Sequence, residues 1–271
     1  MLLRAFVALL VLTNTAVFAQ GFRVSTHIYD LQQKDERGRP PILSSSLSLF
    51  HNGRVYDYVD AADEVIIFDP VEKRFTILNS ARELSTTLNF EEMRHLLETR
   101  VPRVEQYIED LVRQKQPGNE KIVTSLRFQM NPEFQESFDS VSGRLTMTSP
   151  SWTYRVETRE WTEREQVERY LAYADWTAKL NHLVHPGSLF PEPRIVLNES
   201  LKKLEGRIPV SVELDLRPNE SLHLKAEHRF AQNLDDADHA RIARWEQMLN
   251  SRQLKTLPFR NYQEIVLASR R

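Results

Sequence analysis

Eight histidines and no cysteine set the terms for any chemistry this 271-residue chain performs. The missing cysteines remove disulfides, thiolate zinc sites, iron–sulfur ligation and thiol nucleophiles together. His182 and His185 stand i, i+3 near a helix end, a spacing that can ligate one metal. No carboxylate at a recognised offset completes the set, and histidine is an ordinary residue at a helix C-terminus. His223 and His228 lie at odd separation on one strand, so they face opposite sides. His228 shares its face with Leu224 and Ala226, which reads as a core histidine. The run Asp235-Asp236-x-Asp238-His239 lacks the glycine and distal glutamate of a calcium loop, and a helix N-terminus accounts for its acids. Glu91-Glu92 and Asp235-Asp236 are adjacent on helices and point apart, so neither is a glycosidase pair. There is no GxGxxG, GxxxxGK[ST] or GxSxG among the seven glycines. No catalytic residue, cofactor or metal is predicted.

Aromatic and aliphatic side chains offer more. Trp152 and Tyr154 on a strand, Tyr170, Tyr173 and Trp176 on a helix, and Tyr56 and Tyr58 on a hairpin could line one cavity or fill one core. Arg144, Arg155 and Lys179 near them make no basic stripe, which argues against single-stranded nucleic acid.

The elements that must position these residues read as sheet, helices, sheet, helices, sheet. Phe22 to Leu88 is a meander of short strands. Asn52-Gly53 favours a type I′ turn, and centring a hairpin there pairs His51 with Arg54, Leu49 with Tyr56 and Leu47 with Tyr58. The other face carries Phe50 with Val55 and Ser48 with Asp57. Val65-Ile66-Ile67-Phe68 and Phe75-Thr76-Ile77-Leu78 follow around a turn at Asp69–Lys73. Apolar residues on both faces imply a sheet covered twice, or one curled around something. Asn89 with Glu92 starts a helix, Pro102 breaks it near Arg100–Val101, and 120–130 reads as a further helix. Residues 143–158 form a second hairpin and Thr162 to Leu183 the clearest helix. A loop at Pro191-Glu192-Pro193 precedes a short helix, Ile195 to Leu204. Val210, Val212, Leu214 and Leu216 alternate as a strand, Arg217–Glu220 turns, and Leu222, Leu224 and Ala226 alternate back. Asp235 to Leu249 is a helix and Tyr262 to Leu267 a last strand.

Residues 1–19 carry the address. Arg4 precedes the apolar run Ala5–Leu12, and Val17-Phe18-Ala19 ends in a small residue, the order of a secretory signal peptide cut between Ala19 and Gln20. The run is too short to span a bilayer, so no transmembrane anchor is expected in the mature chain. The 36 basic residues become 35 without Arg4, against 38 acidic, a net of −3 that offers no attraction to nucleic acid. Export without cysteine points to the periplasm or exterior of a bacterial envelope.

The runs Leu49–Tyr58, Val65–Pro70 and Arg74–Leu78 resemble the strand meander of LolA/LolB-like proteins, carriers of outer-membrane lipoproteins. That resemblance implies antiparallel strands curled into an open half-barrel capped by helices, with a lipid or lipoprotein acyl chain as ligand. Tyr173-Ala174-Asp175-Trp176 and Pro193–Asn198 are similar to an uncharacterised family of bacterial exported proteins, which brings no activity. The expectation is one exported α+β domain over 20–271, a curved antiparallel sheet packed against several helices. Its expected function is non-enzymatic binding of an apolar ligand, lined by Leu47, Leu49, Tyr56, Tyr58, Phe75 and Ile77. The alternatives are a structural or protein-interaction module of the envelope, marked by a filled core and an exposed apolar patch, or a hydrolase without a recognisable motif.

Overall fold

Asn52 and Gly53 adopt φ of 47° and 78°, the left-handed pair a type I′ turn demands. They join β2 (Ile42–His51) to β3 (Arg54–Val59) with Leu49 opposite Tyr56 and Leu47 opposite Tyr58, the register the residues predict. This is a computed structural model, and it describes residues 21–185, 187–216 and 222–268. The expected signal peptide and the turn at Arg217–Glu220 lie outside the described residues.

Preceding the hairpin is β1 (Phe22–Asp30); following it are β4 (Glu64–Asp69), β5 (Arg74–Asn79) and β6 (Leu84–Asn89). The helices α1 (Phe90–Glu98), α2 (Val101–Gln114) and α3 (Asn119–Met130) come next. Asn89 caps α1 by accepting from the Glu92 amide at 2.7 Å, and Pro102 sits in the first turn of α2, where its missing N–H costs nothing. Strands β7 (Gln135–Asp139), β8 (Arg144–Thr148) and β9 (Thr153–Glu160) precede α4 (Arg164–Val184) and α5 (Glu192–Lys203). The chain closes with β10 (Arg207–Asp215), β11 (His223–Ala231), α6 (Asp236–Leu249), β12 (Lys255–Thr256) and α7 (Phe259–Ala268).

All twelve strands form one open sheet, ordered β12-β6-β5-β4-β3-β2-β1-β11-β10-β9-β8-β7 and antiparallel except at β12–β6. The sheet is curved around α4. Tyr170 and Tyr173 lie three residues apart on that helix, about 4.5 Å along its axis. Their rings meet Phe230 on β11 at 5.0 Å and Phe68 on β4 at 5.7 Å. In a flat sheet those strands would stand about 19 Å apart at about 4.8 Å per strand.

The concave, helix-facing side holds the main core: Phe22, Phe50, Phe68, Phe75, Met147 and Val156 from strands, with Met93, Leu171, Leu180 and Leu197 from helices. A second core lies on the opposite side, where Ile242 and Trp245 of α6 cover Leu49, Tyr56, Val65, Ile67 and Leu78. Trp245 stacks near both Tyr56 and Tyr58, centroids 6.3 and 6.0 Å away. A capping box holds the start of α6, with the Asp238 amide donating to Asp235 at 2.8 Å. Buried Asp238 also accepts from Arg23 of β1 at 3.0 Å, which pins α6 to the sheet.

Four sequence expectations are corrected. Tyr262–Leu267 is helical, because Phe259, Tyr262 and Val266 recur at i, i+3 and i+7 and bury one stripe against the core. The 143–158 hairpin is a three-stranded unit, because β7 adds to its edge; every β7 residue is exposed, so no burial pattern advertised the strand. Glu192 and Pro193 belong to α5, whose first turn tolerates proline. Val210 does not share the phase of Val212. The β9 partners step from Thr158↔Pro209 to Glu157↔Ser211, a bulge beside a proline that cannot donate to the ladder.

Candidate functional site

The six side chains expected to line one cavity divide between the two sides of the sheet. Leu47, Leu49, Tyr56 and Tyr58 pack under α6, whereas Phe75 and Ile77 belong to the helix-facing core. Leu47, Leu49, Tyr56 and Tyr58 sit on the neighbouring strands β2 and β3, while Phe75 and Ile77 sit on β5 beyond β4, and an alternation argument about one hairpin does not fix the phase of the next. The Tyr56 hydroxyl donates to Glu246 of α6 and the Tyr58 hydroxyl to Asp63 at 3.1 Å. Of the aromatic set, Trp152, Tyr154, Tyr170, Tyr173 and Trp176 stay together on the concave side.

On that concave side the packing is uneven. All six residues of β4 are buried, whereas no residue of β11 is. Val59, Leu214, Leu222, Leu224 and Ala226 are half-buried, as are Ser44 and Ser46, and so is every residue of α4 from Ala174 to Lys179. The register fixes which of these face inward. Ala226 pairs with Ile28 and Val212, and Leu224 with Asp30 and Leu214, in phase with His228 opposite Thr26. These half-buried residues lie between β1, β2, β10 and β11 on one side and α4 with α5 on the other, where burial is less complete than along β4.

This region also holds buried polar groups. Fully buried Asp57 accepts from the Ser48 hydroxyl at 2.7 Å, and burial raises its carboxyl above the usual range despite the Ser48 bond. The Tyr173 phenol lies beside Asp57 and Thr177 but meets hydrogen-bond geometry with neither. Burial and the Asp57 charge hold that phenol well above its ordinary value. His228 shares a 2.9 Å hydrogen bond between Nδ1 and Thr26 Oγ1, while its buried Nε2 has no partner. Burial first, then the charge of Arg194, depresses this imidazole to about 3. Tyr154, also beside Arg194, is pushed up to about 12 by burial, with the guanidinium opposing.

On the convex side β9, β10 and β11 present a different chemistry. His223 Nε2 lies 2.7 Å from Glu213 Oε1, and donor atoms of Glu213, Asp215 and His223 fall within 4.8 Å of one another. These three are the residues that could hold a metal among those described. Arg155 approaches Glu213 at 2.8 Å and Asp215 at 3.8 Å, supplying the positive charge a cation would otherwise bring. On the same side the 31–41 loop folds over the sheet and leaves a groove of about 600 Å³ lined by Tyr29, Leu31, Pro40, Pro41 and Ile42 together with Asp35, Arg39, Lys225 and Glu227.

The remaining candidates resolve locally. His182 is buried, its Nδ1 3.2 Å from the Leu189 carbonyl and its ring stacked on Phe190 at 4.7 Å. Asp235 and Asp238 are the cap of α6. Asp57 was legible as the acid opposite Ser48 on an otherwise apolar hairpin face. Arg194 carried no signal, because a basic residue in the first turn of a short helix has no pattern around it. The chain matches no family model and no curated protein.

Proposed function

We propose that this is an exported, non-enzymatic binding protein of a bacterial envelope that takes an apolar, lipid-like ligand on the concave side of its sheet. The observation that carries the reading is the contrast within one curved face, fully buried along β4 and half-buried along β11. Half-buried Val59, Leu214, Leu222, Leu224 and Ala226 supply apolar surface that an acyl chain would cover. Burial is worth about 0.8 kcal/mol per methylene, so roughly ten methylenes offer about 8 kcal/mol. That is comparable to the estimated cost of association, about 4–15 kcal/mol, so a surface already shaped by the fold is what would make binding useful. The order of residues 1–19 supports export, and among the described residues no helix is long and apolar enough to cross a membrane. The resemblance to lipoprotein carriers points the same way.

Titration of a fluorescent fatty acyl probe into the mature protein tests the reading. Wild type takes up one probe per chain, and Leu224→Asp weakens uptake by about tenfold or more with little change in melting temperature. Tyr58→Asp, under α6, lowers the melting temperature and leaves uptake by the folded fraction intact. A wild-type protein that takes up no probe, and carries no adduct when isolated from its own envelope and weighed by native mass spectrometry, overturns it.

A further inference from the structure

The convex side of β10 and β11 brings one imidazole and two carboxylates together, across the sheet from the apolar surface discussed above. Glu213 and Asp215 stand two apart on β10, so the strand period puts both on one face. The ladder sets Asp215 opposite His223, and Glu213 opposite Lys225. Donor atoms of Glu213, Asp215 and His223 fall within 4.8 Å of one another. All three are largely withdrawn from water, with side chains 25 %, 9 % and 13 % exposed respectively. Two acids held this close repel, and Arg155 divides itself between them, 2.8 Å from Glu213 and 3.8 Å from Asp215. Its side chain is 44 % exposed, so it can turn into solvent at small cost. Lys225, next on the same row, is held by Glu227 at 2.8 Å. The cluster adjoins the convex groove, since Lys225 lines that groove and the amide of Leu31, another lining residue, donates to the His223 carbonyl at 2.9 Å.

We propose that Glu213, Asp215 and His223 form a binding site for a divalent metal ion of the zinc class, beside the convex groove. Two carboxylates balance the charge of such an ion, and Arg155 gives up its place when the ion enters. Zinc holds nitrogen and oxygen donors at about 2.0–2.2 Å, which at a tetrahedral angle sets them about 3.3–3.6 Å apart. The 2.7 Å contact between His223 and Glu213 therefore opens by less than about 1 Å, within reach of a side-chain rotation on a fixed strand. An imidazole among the donors selects against calcium and magnesium, which prefer shells of oxygen. Three protein donors leave zinc a further position for water or for a group lying in the groove. The site lies on the opposite side of the sheet from the lipid reading and does not depend on it.

Isothermal titration of the chelator-treated mature protein with zinc chloride, and separately with calcium chloride, tests this. The expected result is one zinc ion per chain, bound at least about tenfold tighter than calcium. His223→Gln should weaken zinc binding about tenfold or more, and Asp215→Asn should do the same, so the site stays testable where one variant does not fold. Arg155→Gln, which releases both acids, should tighten zinc about two- to fivefold. A wild-type protein that binds no zinc, or binds calcium as tightly, overturns the site. Zinc affinity left unchanged by His223→Gln or Asp215→Asn overturns it too, because the ion then sits elsewhere. Affinity that fails to rise in Arg155→Gln overturns the exchange of arginine for metal and marks the cluster as an ion-pair network. Uptake of the fluorescent acyl probe is measured apart from zinc, so failure of either reading leaves the other standing.

Discussion

Strands β4 and β11 belong to one sheet and carry similar numbers of apolar side chains, yet they are covered in opposite ways. Val65 and Ile67 of β4 face α6, while Ile66 and Phe68 face the helices of the concave side, so the strand is buried on both faces. On β11, Leu224, Ala226 and His228 share the helix-facing side and stay half-buried, and Lys225 and Glu227 form a 2.8 Å ion pair on the other side. Double cover places the stability of the fold in β2–β5. Single, incomplete cover leaves β10–β11 with surface to spare for a ligand.

Core truncation breaks the comparison most severely. Phe75→Ala, at a fully buried position on β5, should cost about 3–5 kcal/mol, and Leu224→Ala, on the half-buried strand, less than about 1 kcal/mol. Denaturant titration of both variants reads the difference, and equal losses would remove the distinction between the two regions.

Loosening α6 comes next. Asp238→Ala removes half of the capping box and the carboxylate that holds Arg23 of β1. The two arginines left behind remain partly exposed, so no buried charge is stranded and the cost should be about 1–2 kcal/mol. Quenching of Trp245 by a soluble quencher should rise as the helix lifts, and ligand uptake on the concave side should be unaffected.

Titration gives the subtlest reading. Asp57 has its carboxyl raised by burial, so between its unfolded value near 4 and its folded value the native state holds the extra proton. Its contribution therefore weakens stability as pH rises through that window, and Asp57→Asn should remove this decline. His228 runs the other way. Its imidazole sits at about 3 in the fold, against about 6.5 unfolded, so below pH 6.5 the unfolded chain binds a proton the native state refuses. Stability from this group is complete above pH 6.5 and drains away toward pH 3, and His228→Gln should flatten that slope. Thermal melts from pH 4 to pH 8 separate the two.

Much of the doubly covered half was legible in the sequence. Asn52-Gly53 fixes a turn, the turn fixes the register, and apolar residues on both faces of Val65–Phe68 leave two options, a second cover or a sheet curled around something, of which the strand shows the second cover. What covers each face was not legible, since α6 reaches the hairpin from about 190 residues away through contacts such as Tyr56–Glu246. That is why Leu49 and Phe75, both apolar and both central, fall in different cores. Periodicity also misled where it was short. Tyr262 to Leu267 is a six-residue segment containing the β-branched run Ile265-Val266, which reads as a strand by itself, and only Phe259 three residues upstream of Tyr262 reveals the helical stripe. The half-buried region was least legible, because its signature is what the packing leaves undone. His228 was readable as facing the core, but its unmet Nε2 emerges only when β11 and α4 meet.

Hydrogen–deuterium exchange with and without saturating dodecanoate tests the central claim most directly, because it maps where on the sheet the ligand acts. The account predicts slower exchange along Thr26–Asp30, the His223–His228 stretch of β11 and α5, with β4 unchanged because it is already closed on both faces. Protection confined to β3–β5 and α6, or no protection anywhere on the sheet, would contradict it.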